Sequence, residues 1–280
     1  MKQRIITALL LAPLVIAGIF WLPQAGFILA LAVLTILGLW EWTQFISTTS
    51  RYLALIPGIV IGGVSYWLCV PQLATLDQLQ SMHYVILLIG TLWWLVASGL
   101  AISYPKSRAW WQDSNFIRYL FGLLTLLPFF WSVIFLRSEH IVQESFHGAK
   151  LVLYVCLIVW AADSGAYFTG KSFGKRKMAP AVSPNKTIEG LIGGVMVAIG
   201  VGWLFAHLFS IQFSSFPIML FTILVTVIIS VLGDLVESMF KRVAGIKDSS
   251  NLIPGHGGVL DRIDSLTAAF PVFALCYFLL

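Results

Sequence analysis

Residues 216–242 read FPIMLFTILVTVIISVLGDLVESMFKR. No charge interrupts them before Asp234, and an apolar run of that length spans a bilayer as a helix. A barrel strand would alternate polar and apolar residues, and this stretch does not. Working outward, eight further apolar runs lie at roughly 5–22, 25–46, 52–70, 84–104, 117–136, 149–170, 188–210 and 265–280, with the present one ending near 240. The expected fold class is therefore all-α, a polytopic membrane protein of about nine transmembrane helices. Composition agrees. The 280 residues are 59% hydrophobic and 10% charged, whereas soluble domains are about 25% charged. A water-soluble globule and a disordered chain are both excluded.

The distribution of Lys and Arg sets the orientation. With a cytoplasmic N-terminus, one side holds fifteen of the seventeen basic residues, and only Arg137 and Lys150 fall on the other. The net charge of +5 is thus mostly topological, which argues against a nucleic-acid partner. The first run ends in Trp21-Leu22-Pro23 without a small-residue cleavage site and reads as a retained helix. Cys69, Cys156 and Cys276 lie far apart in apolar runs and read as small core residues. Residues 1–150 read as a plain helical scaffold that supplies dimer contacts, and 151–280 as the catalytic region of one membrane domain.

Ionisable residues inside apolar runs are costly, at about 2.5–3.5 kcal/mol each on insertion scales, and so call for a reason. Asp163 and Tyr167 share a helix face. Lys175, Arg176 and Lys177 read as a solvated cytoplasmic loop, Ser183-Pro184 as a turn, and Thr187 as the cap of the seventh helix. That helix start, beside Lys186 and followed by Glu189, is a candidate anion site. Gly190, Gly193 and Gly194 suit close helix packing. Within 216–242, Glu237, Ser238, Lys241 and Arg242 follow Asp234 at offsets of 3, 4, 7 and 8, so all five occupy one stripe.

The loop Lys247-Asp248 to Pro254-Gly255-His256-Gly257-Gly258 is rich in helix breakers that let backbone approach a ligand. It leads to Asp261, Arg262 and Asp264. Asp234, Asp261 and Asp264 in mutual reach would repel unless a cation lay between them, and oxygen ligands suit Mg²⁺ or Mn²⁺. Acids interleaved with Lys241, Arg242, Lys247 and Arg262 form the pattern of a polyphosphate site. The structural alternative is a salt-bridge network closing a cytoplasmic loop. Glu41, between Trp40 and Trp42, divides evenly between structural pairing and support of the site. His207 reads as packed or interfacial, His83, His140 and His147 as loop residues, and Trp21, Tyr104, Trp110 and Trp111 as an interfacial belt.

Ser238-x-Phe240-Lys241-Arg242, Lys247-Asp248 and Pro254-x-His256-Gly257-Gly258-x-x-Asp261-Arg262-x-Asp264 resemble the signature of the phosphatidate cytidylyltransferase (CDP-diacylglycerol synthase) family. Asp163-Ser164-Gly165-Ala166-Tyr167 and Ser183-Pro184-x-Lys186-Thr187-x-Glu189-Gly190 extend the resemblance over about 160–265, with Asn185 a minor departure. The resemblance implies a multi-pass enzyme of the bacterial inner membrane with its active site facing the cytoplasm. It would convert CTP and phosphatidate to CDP-diacylglycerol and pyrophosphate in phospholipid biosynthesis. It further implies Mg²⁺, with Mn²⁺ in its place and K⁺ open as a further ion, a homodimer, and a metal site surrounded by Asp234, Asp261 and Asp264. With Lys241, those three acids are the expected catalytic residues. Ser238, Arg242, Lys247, Asp248, His256, Gly257, Gly258, Arg262, Asp163, Lys186, Thr187 and Glu189 are the expected substrate contacts. A CTP-dependent lipid kinase and a cation-coupled transporter using Asp163, Asp234 and Glu41 are the competing readings.

Overall fold

The computed structural model describes residues 2–73, 79–140, 144 and 146–280. Among these residues nine α-helices form: α1 Lys2–Trp21, α2 Gln24–Trp42, α3 Ile56–Leu73, α4 Ser81–Ile102, α5 Asn115–Ser138, α6 His147–Phe173, α7 Ile188–Phe209, α8 Phe216–Val243 and α9 Leu260–Leu279. Seven of them, α2 and α4 to α9, are long and apolar enough to cross a membrane, while the shorter apolar segments Leu9–Trp21 and Leu53–Cys69 lie in α1 and in α3 with the single turn before it. Large apolar side chains such as Leu29, Leu92, Met196 and Trp203 point outward, as lipid-facing surfaces require.

Local chemistry sets the helix ends. Ser114 Oγ accepts the Ile117 amide at 3.3 Å to start α5, and Ser215 Oγ accepts the Ile218 amide at 3.4 Å to start α8. Thr187 Oγ1 accepts the Gly190 amide at 3.1 Å, so it caps α7 as expected. Helix α9 begins at Leu260, earlier than its apolar run suggested, and brings Asp261 and Asp264 into its first turns.

Glycine decides where helices meet. A Cβ on Gly194 of α7 would lie 2.6 Å from the Ala162 carbonyl of α6, and one on Gly190 would lie 2.9 Å from the Ala166 carbonyl. At Gly193 it would strike Thr169. The small-residue reading of these positions therefore holds, and α6 and α7 pack backbone to backbone. In α8, Gly233 lets Ala268 of α9 approach, since its Cβ would sit 2.7 Å from that methyl group. This contact draws the Asp234 turn of α8 toward Asp264.

Five sequence expectations are corrected. Residues 177–187 form an antiparallel hairpin of β1 Lys177–Ala179 and β2 Ser183–Thr187, with Lys177 opposite Thr187 and Ala179 opposite Ser183. Ser183-Pro184 belongs to β2, and the turn lies one step earlier, at 180–182. A two-stranded ribbon tolerates Pro184 because one side of each strand has no ladder partner. Trp111 is buried and is no belt residue, with its ring 5.1 Å from Phe240. His83 lies buried in α4, where its Nδ1 accepts the Gln80 amide at 3.1 Å, and His147 opens α6.

An aromatic cluster under the end of α8 rigidifies the region that matters below. Phe240 packs 4.8 Å from Trp42 and 6.0 Å from Phe121, and Trp42 Nε1 donates to the Arg118 carbonyl at 2.8 Å.

Gly194→Ala should destabilise the protein by about 1–3 kcal/mol, because the methyl group meets backbone that cannot rotate away. Gly200→Ala, on the same helix with nothing within 4 Å of its Cβ position, should not. Thermal unfolding of both variants in one detergent checks this, and equal midpoints would contradict the packing described.

Candidate functional site

Three elements converge on the stripe of α8. From β2, Lys186 Nζ reaches Asp234 Oδ2 at 2.7 Å and donates to the Val231 carbonyl at 3.1 Å. Ser238 Oγ, one turn along, donates to Asp234 Oδ1 at 3.3 Å. Lys241 Nζ sits between two buried acids, 2.8 Å from Asp261 Oδ1 and 3.3 Å from Glu237 Oε1. The side chains of Lys241, Asp261 and Glu237 are only 11%, 5% and 4% exposed, so the three form a largely buried ion cluster.

The second oxygen of Asp261 is fully used. It accepts the Ser249 amide at 2.8 Å, the Ser249 hydroxyl at 3.0 Å and the Gly258 amide at 2.8 Å. The loop preceding α9 is shaped for this. Gly245, Gly255 and Gly257 have φ of +71°, +75° and +81°. A Cβ on Gly257 would lie 2.6 Å from Asp261 Oδ2, and one on Gly258 would meet Ser249 and, at 2.6 Å, both Glu41 oxygens. The close approach expected from these glycines is to the protein's own carboxylates.

Glu237 and Asp264 are neighbours. Each carboxyl is in hydrogen-bonding and electrostatic reach of the other, and Asp264 also feels Asp234. Asp264 Oδ1 accepts the Ser265 amide at 2.7 Å. Apart from the Lys241 ammonium, the buried Glu237 oxygens meet no donor among the described residues. Adjacent carboxyls in that state need a proton or a cation between them. Glu237 lies on the stripe read from the sequence, yet its spacing alone did not mark it as a site residue.

Among the described residues, no three His, Cys, Asp or Glu side chains stand together as a ready metal-ligand set. The reason is visible at Asp261, whose two oxygens are taken by Lys241 and the loop. Asp234, held by Lys186, and Asp264, beside Glu237, are the acids left with accessible surface and all-oxygen chemistry. These residues suit a hard divalent cation, and the observation that favours one is the Glu237 carboxylate, buried against Asp264 with no partner but the shared Lys241 ammonium among the described residues.

The other expected contacts divide. Asp163 is exposed on α6 and lies within electrostatic reach of Asp234 and Lys186, so it joins the cluster's edge. Arg242, Lys247, Asp248 and Arg262 are exposed. Arg242 Nε donates to the Val182 carbonyl at 3.2 Å, and Arg262 Nε donates to the His256 carbonyl at 2.9 Å. His256 Nδ1 is buried without a hydrogen-bond partner among the described residues. Two expected contacts have other employment. Thr187 is the α7 cap, and the Glu189 carboxylate accepts the Lys175 and Arg176 amides at 3.0 and 3.1 Å and Arg176 Nε at 3.0 Å. The segment read as a free basic loop is thereby pinned to α7.

Residues 2–280 fit the profile of the Cytidylyltransferase family. The chain belongs to that family. It is similar to a phosphatidate cytidylyltransferase of Haemophilus influenzae, at 45% identity over 99% of both chains. It is also similar to one of Pseudomonas aeruginosa, at 41% identity over 98% of this chain and 96% of the other, and to one of Staphylococcus epidermidis, at 34% over 97% of each. As a cytidylyltransferase family member, the protein is a nucleotidyltransferase enzyme embedded by its apolar helices in a membrane.

Lys241→Met should cost about 3–5 kcal/mol, because it strands two buried carboxylates. Adding Glu237→Gln should recover part of that loss by removing one of the stranded charges. Thermal unfolding of the single and double variants measures both, and an unchanged midpoint for Lys241→Met would rule out the buried ion cluster.

Proposed function

We propose that this enzyme transfers the cytidylyl group of CTP to phosphatidate, forming CDP-diacylglycerol and releasing pyrophosphate for phospholipid biosynthesis. One observation carries the reading. Lys186 and Lys241 are each held by a carboxylate and are only 24% and 11% exposed, while Arg242, Lys247 and Arg262, at the end of α8, in the loop after it and at the start of α9, are exposed. That gradient, from fixed ammonium groups inside to accessible cations outside, suits a lipid phosphate arriving from the leaflet and a nucleotide triphosphate arriving from water. The names of relatives matched over nearly their whole length support the same substrates.

The step is an in-line displacement. An oxygen of the phosphatidate phosphate forms a bond to the α-phosphorus of CTP, and the bond from that phosphorus to the oxygen bridging the β-phosphate breaks. Pyrophosphate leaves with the electron pair. The phosphate nucleophile is already anionic, so no general base is required. Lys186 and Lys241 orient the reacting phosphates, and Arg242, Lys247 and Arg262 neutralise the outer ones. His256, with a buried unpartnered nitrogen, orients a phosphate or a neighbouring carboxylate. Asp234 and Asp264, with Glu237 behind them, would hold Mg²⁺, or Mn²⁺ in its place. When bound, that ion would offset charge on the α-phosphate and the leaving pyrophosphate. Asp261 positions Lys241. The basic side faces the cytoplasm of a bacterial inner membrane, where CTP is found, and the enzyme works as a homodimer.

The test is turnover by purified protein with phosphatidate micelles, Mg²⁺ and CTP labelled on the α-phosphate. Label should pass into the chloroform phase with equimolar pyrophosphate. CDP as product in place of pyrophosphate would overturn the reading in favour of a lipid kinase. Asp261→Asn should lower transfer at least about 100-fold, on the scale of removing a preorganised electrostatic contact. Lys177→Ala, exposed on β1, should stay within about twofold, as surface changes do. Near-normal transfer by Asp261→Asn, or a large loss in Lys177→Ala, would displace the site from where it is drawn.

A further inference from the structure

Glu41 lies in α2, more than two hundred residues from the loop before α9, and is completely buried. Its carboxylate lies within hydrogen-bonding distance of four donors, all in that loop or the first residue of α9. Oε1 takes the Ser250 hydroxyl at 2.5 Å and the Val259 amide at 2.9 Å. Oε2 takes the Ser249 hydroxyl at 3.0 Å and the Leu260 amide at 2.6 Å. Val259 and Leu260 are the residues at which α9 begins. Amides at a helix start lack intrahelical acceptors and carry partial positive charge. Val259 has no side-chain oxygen to cap them, so a carboxylate from another helix does so.

The Ser249 hydroxyl is the second connection. It stands 3.0 Å from Glu41 Oε2 and 3.0 Å from Asp261 Oδ2. One hydroxyl has one proton, so its donation to either acid is set by the other. A continuous chain runs Glu41, Ser249, Asp261, Lys241. The near end of the chain is itself fixed. Gln44 Nε2 donates to the Ser249 carbonyl. Arg51 closes the end of α2 by stacking 3.9 Å over the Trp40 ring and donating to the Trp40 carbonyl at 2.6 Å and to Thr43 Oγ1 at 3.0 Å.

We propose that Glu41 is a positioning residue for nucleotidyl transfer, acting through Ser249 and the start of α9 to set the Asp261 carboxylate that holds Lys241. This rests on the cytidylyl-transfer reading above. An acid whose role was only to pair within the scaffold would spread its partners over the helices around α2. Glu41 spends all four on the segment that carries Asp261. Glutamine at this position has the same size but one acceptor oxygen, and its amide group would face donors.

The test joins kinetics to hydrogen exchange in the full-length protein in detergent. In Glu41→Gln, kcat for transfer of α-labelled phosphate should fall at least about tenfold, while KM for CTP changes less than about threefold, because the contact it sets matters in the transition state. Ser249→Ala should show the same split, and the double variant should lose no more than about twofold beyond the worse single one, as residues of one chain do. Backbone amides of 247–262 should exchange faster in Glu41→Gln, with those of α6 and α7 unchanged. Wild-type kcat in Glu41→Gln, losses that multiply in the double variant, or exchange that rises throughout the molecule would overturn the proposal. Should Glu41→Gln fail to fold, Ser249→Ala alone still decides, since wild-type kcat there breaks the chain. Exchange needs no turnover, so a wild-type protein without transfer would sink the functional reading and leave the positioning question to the exchange data.

Discussion

Lys241 is one ammonium group shared by two buried carboxylates, and the rest of the site is arranged around that shortage of positive charge. Five acids, Glu41, Asp234, Glu237, Asp261 and Asp264, come together from α2, α8 and α9, and among the described residues only Lys186 and Lys241 form ion pairs with them. In a poorly polarisable interior such an imbalance is costly, and the protein answers it differently at each acid. Glu41 is satisfied by the Ser250 hydroxyl and the Val259 and Leu260 amides, Asp261 by an ammonium group and the Ser249 and Gly258 amides, and the Ser249 hydroxyl lies between the two acids. Asp234 has Lys186 and a hydroxyl. Glu237 and Asp264 are left facing each other. The unbalanced charge is thus concentrated on one side of α8, where a cation and phosphate groups would complete it.

The membrane-spanning scaffold explains how such a cluster survives among apolar helices. Helices α6 and α7 meet over glycines, which leaves the hairpin between them short enough to swing Lys186 onto α8. Gly233 brings α8 against α9 at the level of Asp234 and Asp264. The aromatic cluster around Phe240 holds the last turns of α8, so Lys241 has a fixed base from which to reach two acids. Function here depends on packing that involves no functional side chain.

Much of this was legible in the sequence, for a physical reason. Lipid forces each crossing segment to satisfy its own backbone, so apolar run length reports helices directly, and all nine runs became helices within a few residues. Helical periodicity likewise placed Asp234, Ser238 and Lys241 on one stripe. What periodicity does not encode is contact between distant segments. The hairpin 177–187 is short, charged and contains Pro184, so its composition reads as loop, and only its pinning by Glu189 orders it. Trp111 reads as an interfacial residue until the fold covers it. Glu41 is conspicuous as an acid between two tryptophans, yet its partners lie beyond residue 248 and no local pattern points to them. The glycines before α9 correctly announced a close backbone approach, but whether to a ligand or to the protein's own carboxylates is decided by the fold.

The most direct test of the account is Mn²⁺ binding to the detergent-solubilised protein, followed by electron paramagnetic resonance with and without CTP. The charge imbalance around Asp234, Glu237 and Asp264 predicts one saturable site that CTP tightens, and at least about tenfold weaker binding in Asp264→Asn, as expected when a ligand carboxylate is lost. A wild-type protein with no saturable site in the presence of CTP, or equal binding by the variant, would contradict it.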